Sequence, residues 1–254
     1  NFVGFKWFAT LFSSPVQRAE VVRVMTNTIV MSLLNIACSV LPVAFAVFLS
    51  EVRFPWYKKS VQVLTTLPNF ISWVLVYSFA YALFNTNNGF LNQLLIRLGV
   101  MDRPINFLAD PSHTWLKMCA WNVWKTLGWS SIMYLAAIAG IDQTLYEAAK
   151  IDGAGRFQIM WHITVPGILE TYFVLLLLSI ANFISNGMEQ YFVFQNAMNR
   201  NKIEVLDLYV YNIGLGGGSF SYATAVSILK SVVSLTLLFV ANNLSRLVRG
   251  NTIL

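Results

Sequence analysis

Apolar residues dominate five stretches of the chain, and more polar segments separate them. A membrane-spanning helix needs roughly 20 mostly apolar residues, because the hydrocarbon core of a bilayer is about 30 Å thick. The pattern therefore predicts an all-α fold, a polytopic bundle of transmembrane helices with five visible spans. The predicted spans are residues 26–50, 61–84, 114–140, 165–187 and 221–244.

The composition agrees with a membrane protein. Of 254 residues, 57% are hydrophobic and only 11% are charged, whereas an ordinary soluble domain has roughly 25% charged residues. The net charge of +6 is spread thinly and does not form the concentrated basic patch typical of nucleic-acid binding. A lipid bilayer is therefore the predicted surrounding, and no nucleic-acid partner is predicted.

Lysine and arginine are denser on one side of the predicted spans. Both sets of connections carry seven of these residues, but one set is about half as long as the other. Cytoplasmic loops are enriched in Lys and Arg, so the shorter set, residues 51–60, 141–164 and 245–254, is predicted to be cytoplasmic. The C-terminus then lies in the cytoplasm of a multi-pass membrane protein.

Residues 1–25 are consequently predicted to be a periplasmic interfacial segment, and residues 26–254 the transmembrane domain. The stretch NFVGFKWFATLFSSP is aromatic and amphipathic, which suits a helix lying in the membrane interface. A chain without a signal peptide needs an earlier span to place Asn1 outside the cell. One further transmembrane helix is therefore predicted upstream of Asn1.

The sequence carries no enzyme signature. It contains no GxxxxGK[ST] phosphate loop, no HExxH and no GxSxG, and these motifs would supply nucleotide binding, zinc binding or a nucleophile. The two histidines, His113 and His162, fall on opposite sides of the predicted membrane. No catalytic residue and no metal site is predicted.

Two lysines, Lys125 and Lys230, lie near the centres of predicted spans. A charge at mid-bilayer costs about 2.5–3.5 kcal/mol on insertion scales, so such a residue faces protein or water. Two interpretations are open. Each lysine either makes a structural contact to carbonyls or an acid, or lines a path for a polar or anionic solute.

Aromatic and amide side chains collect near the same positions. Sugars stack a ring face on an aromatic side chain while amides and acids bond their hydroxyls, so a sugar path is one interpretation. An aromatic belt with ordinary packing is the other. The candidate path residues are Trp121, Trp124, Lys125, Asn182, Asn186 and Glu189.

The connection at residues 141–166 has the pattern of a structured loop. Thr144 followed by Glu147 has the spacing of a capping box, which predicts two helical turns from Leu145 to Ile151. Gly153 can end such a helix with a positive φ. Small residues leave the helix surface thin, and a thin surface suits docking in the groove of another protein.

This loop also carries a family signature. EAA at residues 147–149 is followed by Gly153 and, after nine residues, by ITVP at residues 163–166. The pattern resembles EAA-x3-G-x9-I-x-L-P of permease subunits of binding-protein-dependent type I ABC importers, with Val165 in place of Leu. Other stretches, including LPNFISWVL and SYATAVSILKSVV, are similar to the oligosaccharide branch related to maltose-type permeases.

The resemblance implies a MetI-like permease fold in the bacterial inner membrane and a transport complex. In that family a second permease subunit completes a heterodimer. Two copies of a separate ATPase bind ATP and Mg, and an extracytoplasmic solute-binding protein delivers the substrate. Alternating access is driven through a coupling helix, here at about residues 144–162, that sits in a cleft of the ATPase.

The resemblance also assigns roles within that helix. Glu147 would face basic groups on the ATPase, and the remaining residues would pack closely against it or share the contact. The other implied coupling residues are Ala148, Ala149, Asp152, Gly153, Ala154 and Gly155.

The predicted function is thus oligosaccharide import by a permease subunit that is not itself an enzyme. The alternatives are a stand-alone secondary transporter or channel for a polar solute, and an intramembrane enzyme. Lys125, Lys230 and the basic balance favour acidic oligosaccharides, such as uronate-containing chains from alginate or pectin.

Overall fold

The computed structural model describes residues 4–249, without the side chains of Phe12 and of residues 244–249. Regular structure in this part of the chain is helical throughout. The helices are α1 (Lys6–Ser13), α2 (Pro15–Cys38), α3 (Val40–Ser50), α4 (Pro55–Thr66), α5 (Trp73–Phe84), α6 (Phe90–Arg97), α7 (Thr114–Ala139), α8 (Gln143–Ile151), α9 (Arg156–Ile159), α10 (Val165–Ala181), α11 (Glu189–Phe194), α12 (Arg200–Ile203), α13 (Leu206–Tyr211) and α14 (Phe220–Arg249).

Within the described residues, three continuous helical stretches are long and apolar enough to cross a membrane. They are Pro15–Ser50, Arg156–Ala181 and Phe220–Asn243, and they match the first, fourth and fifth predicted spans. The predicted all-α transmembrane fold is confirmed. The predicted count of five spans is not confirmed. The second predicted span is bent, and the third is not among the three apolar stretches.

The second predicted span, residues 61–84, is broken. Its helices α4 and α5 form a bent pair, and a 3₁₀ turn at Leu67–Phe70 follows α4 directly. Pro68 lies in this turn, and a proline cannot donate the hydrogen bond that would continue an α-helix. The break is therefore a local consequence of the sequence.

The third predicted span corresponds to α7, which has 26 residues and so has the length needed to cross a bilayer. It is less apolar than the other three stretches, because Lys117, Asn122 and Lys125 interrupt it. Its polar side chains need protein partners, and those of Lys125 are described below.

The N-terminal boundary predicted at residue 25 does not coincide with the end of a helix. α1 covers only Lys6–Ser13, and α2 already begins at Pro15. The first three residues of the predicted interfacial segment lie outside the described residues, as do residues 250–254 of the predicted cytoplasmic tail.

The chain divides into two compact units. The first comprises the chain up to Leu34, Ile71–Cys119 and Phe183–Thr236, and the second comprises Asn35–Phe70, Ala120–Asn182 and the chain from Leu237 onward. Every contact discussed below lies within one of these units.

In the first unit a buried carboxylate ties the loop after α12 to α2. The Glu204 side chain is 1% exposed and accepts hydrogen bonds from Arg23 Nη2 and Asn212 Nδ2, both at 2.7 Å. Asn27 Nδ2 donates to the backbone oxygen of Glu204 at 3.0 Å. A buried charge requires such partners, so this network positions the loop.

In the second unit, the buried core comprises Val47, Met160 and Ile168, with Ile141 and Val165 packed against them. Met160 belongs to a π-helical turn, Met160–Thr164, that joins α9 to α10. Pro166 lies in the first turn of α10, within a continuous helical stretch from Arg156 to Ala181. The π turn precedes the proline, and local π adjustments are one way in which membrane helices accommodate proline.

Candidate functional site

Asp142 begins α8 by capping it. Its carboxylate accepts a hydrogen bond from the Thr144 backbone N–H at 2.9 Å, and this bond lowers the pKa of Asp142 below its ordinary value. The predicted capping box of Thr144 and Glu147 is therefore wrong, because Thr144 already lies inside the helix. Asp142, the residue directly before the helix, is the cap, because its carboxylate accepts from the free N–H groups of the first turn.

Gly153 ends α8 as the sequence predicts. Its φ is +78°, a left-handed conformation that glycine adopts without steric strain. The Ala154 N–H donates to the Ala149 carbonyl at 2.9 Å, and the Gly153 N–H to the Lys150 carbonyl at 3.1 Å, which is the Schellman pattern. The coupling helix predicted at about 144–162 is thus α8 alone, and a second helix starts at Arg156.

The inner side of α8 contacts the end of the π-helical turn, directly before α10. Tyr146 Oη lies 3.1 Å from Thr164 Oγ1, and Thr164 is 1% exposed. Gly167 permits close contact with the residue just before α8, since a Cβ at Gly167 would lie 2.6 Å from Ile141 Cδ1. Movement of α8 is therefore coupled to α10.

The outer side of the same segment exposes large apolar side chains. Ile151 is 86% exposed, Phe157 77% and Trp161 71%, and Leu145 is half-exposed. Single exposed apolar residues are ordinary, but a group of them on one short segment marks an interaction site. This set, Leu145, Ile151, Phe157 and Trp161, is called the coupling surface below.

A shallow cavity of about 350 Å³ lies beside the coupling surface. Four of the predicted coupling residues line it: Ala149, Asp152, Gly153 and Ala154. Among the other three, Glu147 and Ala148 lie on exposed positions of α8, and Gly155 is an exposed residue that precedes α9. The structure brings Ala149, Gly153 and Ala154 together around a depression, and their predicted contact with an ATPase stays a prediction.

A second cavity, of about 500 Å³, lies in the second unit between α2, α3, α7 and α10. Three asparagines, Asn35, Asn122 and Asn182, line it together with Trp129 and Tyr134. Among the described residues that line it, none carries a charge. Amides, hydroxyls and aromatic faces in one cavity are the groups that bind a sugar. This cavity is called the amide cavity below.

Of the six candidate path residues, Asn182 lines the amide cavity. Trp121 and Trp124 pack edge to face, with ring centroids 5.7 Å apart. In the first unit, Asn186 Nδ2 donates to the Thr28 carbonyl at 3.1 Å, and Glu189 is an exposed residue at the start of α11. Within the second unit, Trp121, Trp124 and Lys125 are not among the residues that line the amide cavity with Asn182.

Lys125 is buried, with 7% of its surface exposed. Its ammonium donates to the carbonyls of Asn69 at 2.7 Å and Pro68 at 3.2 Å. Lys230 forms an ion pair with Asp207. These geometries favour the structural interpretation of both lysines over a cationic lining.

The sequence interpretation missed two asparagines of the amide cavity. Asn122 Nδ2 donates to Asn35 Oδ1 at 3.2 Å, so the two amides lie side by side. The available signal was an amide in the middle of an apolar span, since polar groups at membrane depth are expensive and usually functional.

Comparisons with known proteins show which family the chain resembles. The family model for binding-protein-dependent transport system inner membrane components matches residues 39–250. The chain is 38% identical to Protein LplB of Bacillus subtilis (strain 168), over 97% of this chain and 76% of that protein. It is 41% identical to the polygalacturonan/rhamnogalacturonan transport system permease protein YteP of the same organism, over 97% of this chain and 75% of that protein.

A solved structure is similar over nearly the whole chain. The crystal structure of a bacterial alginate ABC transporter, in complex with an alginate pentasaccharide-bound periplasmic protein, contains a chain that superposes with a TM-score of 0.90. The sequences are 33% identical, and the match covers 99% of this chain and 85% of that one.

Proposed function

This chain belongs to the family of binding-protein-dependent transport system inner membrane components, and from that premise we propose that it conducts acidic oligosaccharides in an ATP-driven importer. Family membership makes it a permease subunit and not a stand-alone transporter or an enzyme. The observation that carries the proposal is the coupling surface, a set of exposed apolar side chains on α8, α9 and the π-helical turn that leads into α10.

We propose that the coupling surface docks in a groove of a separate ATPase, which binds the ATP and Mg. Burying a side chain such as Ile151, now 86% exposed, contributes about 1.5–3 kcal/mol. Glu147 lies on the same exposed segment and supplies a charge for basic groups on the ATPase. Two ATPase copies and a second permease subunit complete the assembly.

We propose further that α8 and the basic connection at residues 51–60 face the cytoplasm. The higher density of lysine and arginine in these connections supports this orientation. Residues 85–113 and 188–220 then face the extracytoplasmic side, where a solute-binding protein delivers the substrate.

The substrate assignment rests on the amide cavity and on the relatives. Asn35 and Asn122 would bond sugar hydroxyls, while Trp129 and Tyr134 offer faces for the ring. Two of the relatives are named for polygalacturonan/rhamnogalacturonan and alginate transport, and these are acidic polysaccharides. Because the described lining of the cavity carries no charge, selection for acidic sugars belongs to the solute-binding protein.

The docking proposal is tested by Ile151→Asp. A carboxylate in an apolar groove loses the burial free energy of the isoleucine and adds desolvation, so co-purification of the ATPase should fall at least about tenfold. Membrane insertion should be unchanged. Co-purification is quantified on the affinity-purified membrane complex, and Glu147→Lys should give the same direction.

The matched control is Val100→Asp, a similarly exposed apolar residue at 66% on the connection assigned to the opposite side. It should retain the ATPase at the wild-type level. Wild-type amounts of ATPase with Ile151→Asp, or equal loss with Val100→Asp, would contradict the docking proposal.

A further inference from the structure

A third cavity, of about 720 Å³, lies in the second unit between the connection after α3, the helix α4, the end of α7 and α8. Four cationic side chains from separate parts of the sequence line it: Arg53, Lys58, Lys150 and Arg156. A single carboxylate, Glu51, is present beside them. The cavity, called the basic cleft below, is therefore net positive.

The cations of the basic cleft lack carboxylate partners within the part of the chain that the structure describes. Elsewhere the pattern differs: Arg23 pairs with Glu204, Lys117 with Asp110 and Lys230 with Asp207. Four like charges around one cavity repel one another, and an anion placed among them relieves that repulsion. Hydrogen-bond capacity from Gln62, Gln143 and the Tyr146 hydroxyl adds to the same site.

One part of the wall of the basic cleft is apolar. Leu135, Ile138 and Ile159 line it together with the cations, so the cavity accepts a molecule that has a charged end and an apolar body. Three exposed aromatic residues flank the cations in sequence: Phe54 is 74% exposed, Trp56 78% and Tyr57 52%. Tryptophan and tyrosine concentrate at the level of lipid headgroups.

We propose that the basic cleft binds the phosphate headgroup of an anionic phospholipid from the cytoplasmic leaflet. Basic pockets between transmembrane helices on the cytoplasmic side suit such headgroups, and the apolar wall would accommodate the start of an acyl chain. An acidic segment of the ATPase would have no need for the apolar wall or the aromatic rim. The proposal rests on the cytoplasmic orientation given under the proposed function.

A lipid in the basic cleft would have a structural consequence. Its phosphate would bridge Lys58 on α4 and Lys150 on α8, and it would therefore restrain the segment that carries the coupling surface. Anionic lipid should then be bound to the importer at a defined site, in addition to the lipid of the surrounding bilayer.

The test uses the complete importer, purified with its partners and transferred to nanodiscs of zwitterionic phosphatidylcholine containing a small fraction of phosphatidylglycerol. Native mass spectrometry counts retained phosphatidylglycerol. The double variant Arg53→Gln/Lys58→Gln should retain it about 25-fold less, because each Lys or Arg near an anionic lipid contributes a factor of about five. Lys58→Arg should retain it as the wild type does.

Lys59→Gln is the matched control, since Lys59 is exposed in the same connection but is not among the residues of the basic cleft. It should leave retention unchanged. Equal retention by the double variant and the wild type, or equal loss with Lys59→Gln, overturns the proposal. If millimolar inorganic phosphate displaces the lipid, the basic cleft is a site for soluble phosphate. If the lipid binds only after the ATPase has been removed, the basic cleft is a site for the ATPase. Either result overturns the lipid proposal.

Uptake is measured on the same preparations. For the wild-type importer, uptake without any retained phosphatidylglycerol overturns the lipid proposal and leaves the transport function intact. Absence of uptake by the wild-type importer, together with normal lipid retention, contradicts the transport function alone.

Discussion

Lys125 shows how a charge is accommodated in an apolar helix. Its ammonium bonds the carbonyls of Pro68 and Asn69, which lie in the 3₁₀ turn after α4. Carbonyls at a helix break lose their partners in the helix and need others. The lysine therefore stabilises the break in the second predicted span, and the break in turn supplies the polar contacts that a buried ammonium requires.

We expect Lys125→Met to destabilise the protein. The substitution keeps an unbranched side chain but leaves two partly buried carbonyls with fewer donors. A fully buried group left unsatisfied costs about 1–3 kcal/mol, and the cost falls where water reaches the group. The apparent Tm of the detergent-purified complex should fall by several degrees. Lys117→Met is the control on the same helix, where a partly exposed lysine pairs with the partly exposed carboxylate of Asp110, and it should lower the Tm clearly less, because exposed ion pairs contribute little.

Transport by assembled Lys125→Met complexes separates the two interpretations of this residue. A normal Tm combined with altered preference between acidic and neutral sugars would restore the interpretation of Lys125 as a path lining.

At the scale of elements, α4 and α7 approach each other at one glycine. A Cβ on Gly128 would lie 2.3 Å from the Thr65 carbonyl carbon and oxygen and 2.6 Å from the Thr66 nitrogen. Backbone atoms cannot yield as a flexible side chain does. Small residues permit such close packing of membrane helices, and Gly128 is one turn from Lys125, so both fix the same contact.

We predict that Gly128→Ala forces α4 away from α7. Overpacking of this kind costs about 1–3 kcal/mol or more, and the displacement should also weaken the bonds from Lys125. The yield of folded complex and its apparent Tm should both fall, as measured by fluorescence-detected size-exclusion chromatography with a temperature series.

Gly140→Ala is the control, because a Cβ there would meet its nearest neighbour at 3.4 Å, an ordinary contact. It should fold like the wild type. A Gly128→Ala protein with unchanged Tm would show that the two helices do not pack as closely as described.

At the scale of the whole molecule, the amide cavity and the coupling surface belong to the same unit. α10 follows the π turn that is bonded to Tyr146, and its residues Leu175 and Leu178 line the amide cavity. On α7, Tyr134 lines the amide cavity, and Ile138 packs against the buried core that contains Met160 and Ile168. A displacement of α8 therefore has a short, packed route to the proposed sugar path.

We expect Asn122→Leu to reduce uptake of all accepted oligosaccharides by about 2–13-fold, since one hydrogen bond to the substrate contributes about 0.5–1.5 kcal/mol. The preference for uronate-containing over neutral oligosaccharides should not change, because that selection is assigned to the solute-binding protein. Uptake is measured in proteoliposomes with a panel of both sugar types and the cognate binding protein.

Asn88→Leu, at an exposed position in the connection after α5, should leave uptake unchanged. A change in the preference for acidic sugars with Asn122→Leu would place selectivity in the amide cavity and contradict this division of roles.

The sequence indicated the elements of the site better than the residues of the path. Gly153 ended α8 where predicted, because a left-handed turn restricts the choice of residue locally. The capping residue was misplaced by two positions, since Asp142 and Thr144 are both capable caps and only the backbone path selects between them. The predicted path residues agree less well with the residues that line the amide cavity. The reason is that the side of a membrane helix that faces a cavity depends on the neighbouring helices.

The sequence by itself determined that the chain lies in a lipid bilayer, that its fold is helical, and that the coupling loop carries the family signature. These follow from local properties: apolar length, hydrogen bonding within each helix, and the spacing of small residues. Only the tertiary structure decided that Lys125 caps a broken helix, that Gly128 sets the distance between α4 and α7, and that Asn35 lies beside Asn122. Each of these depends on contacts between residues about 60 to 90 positions apart, which no local pattern specifies.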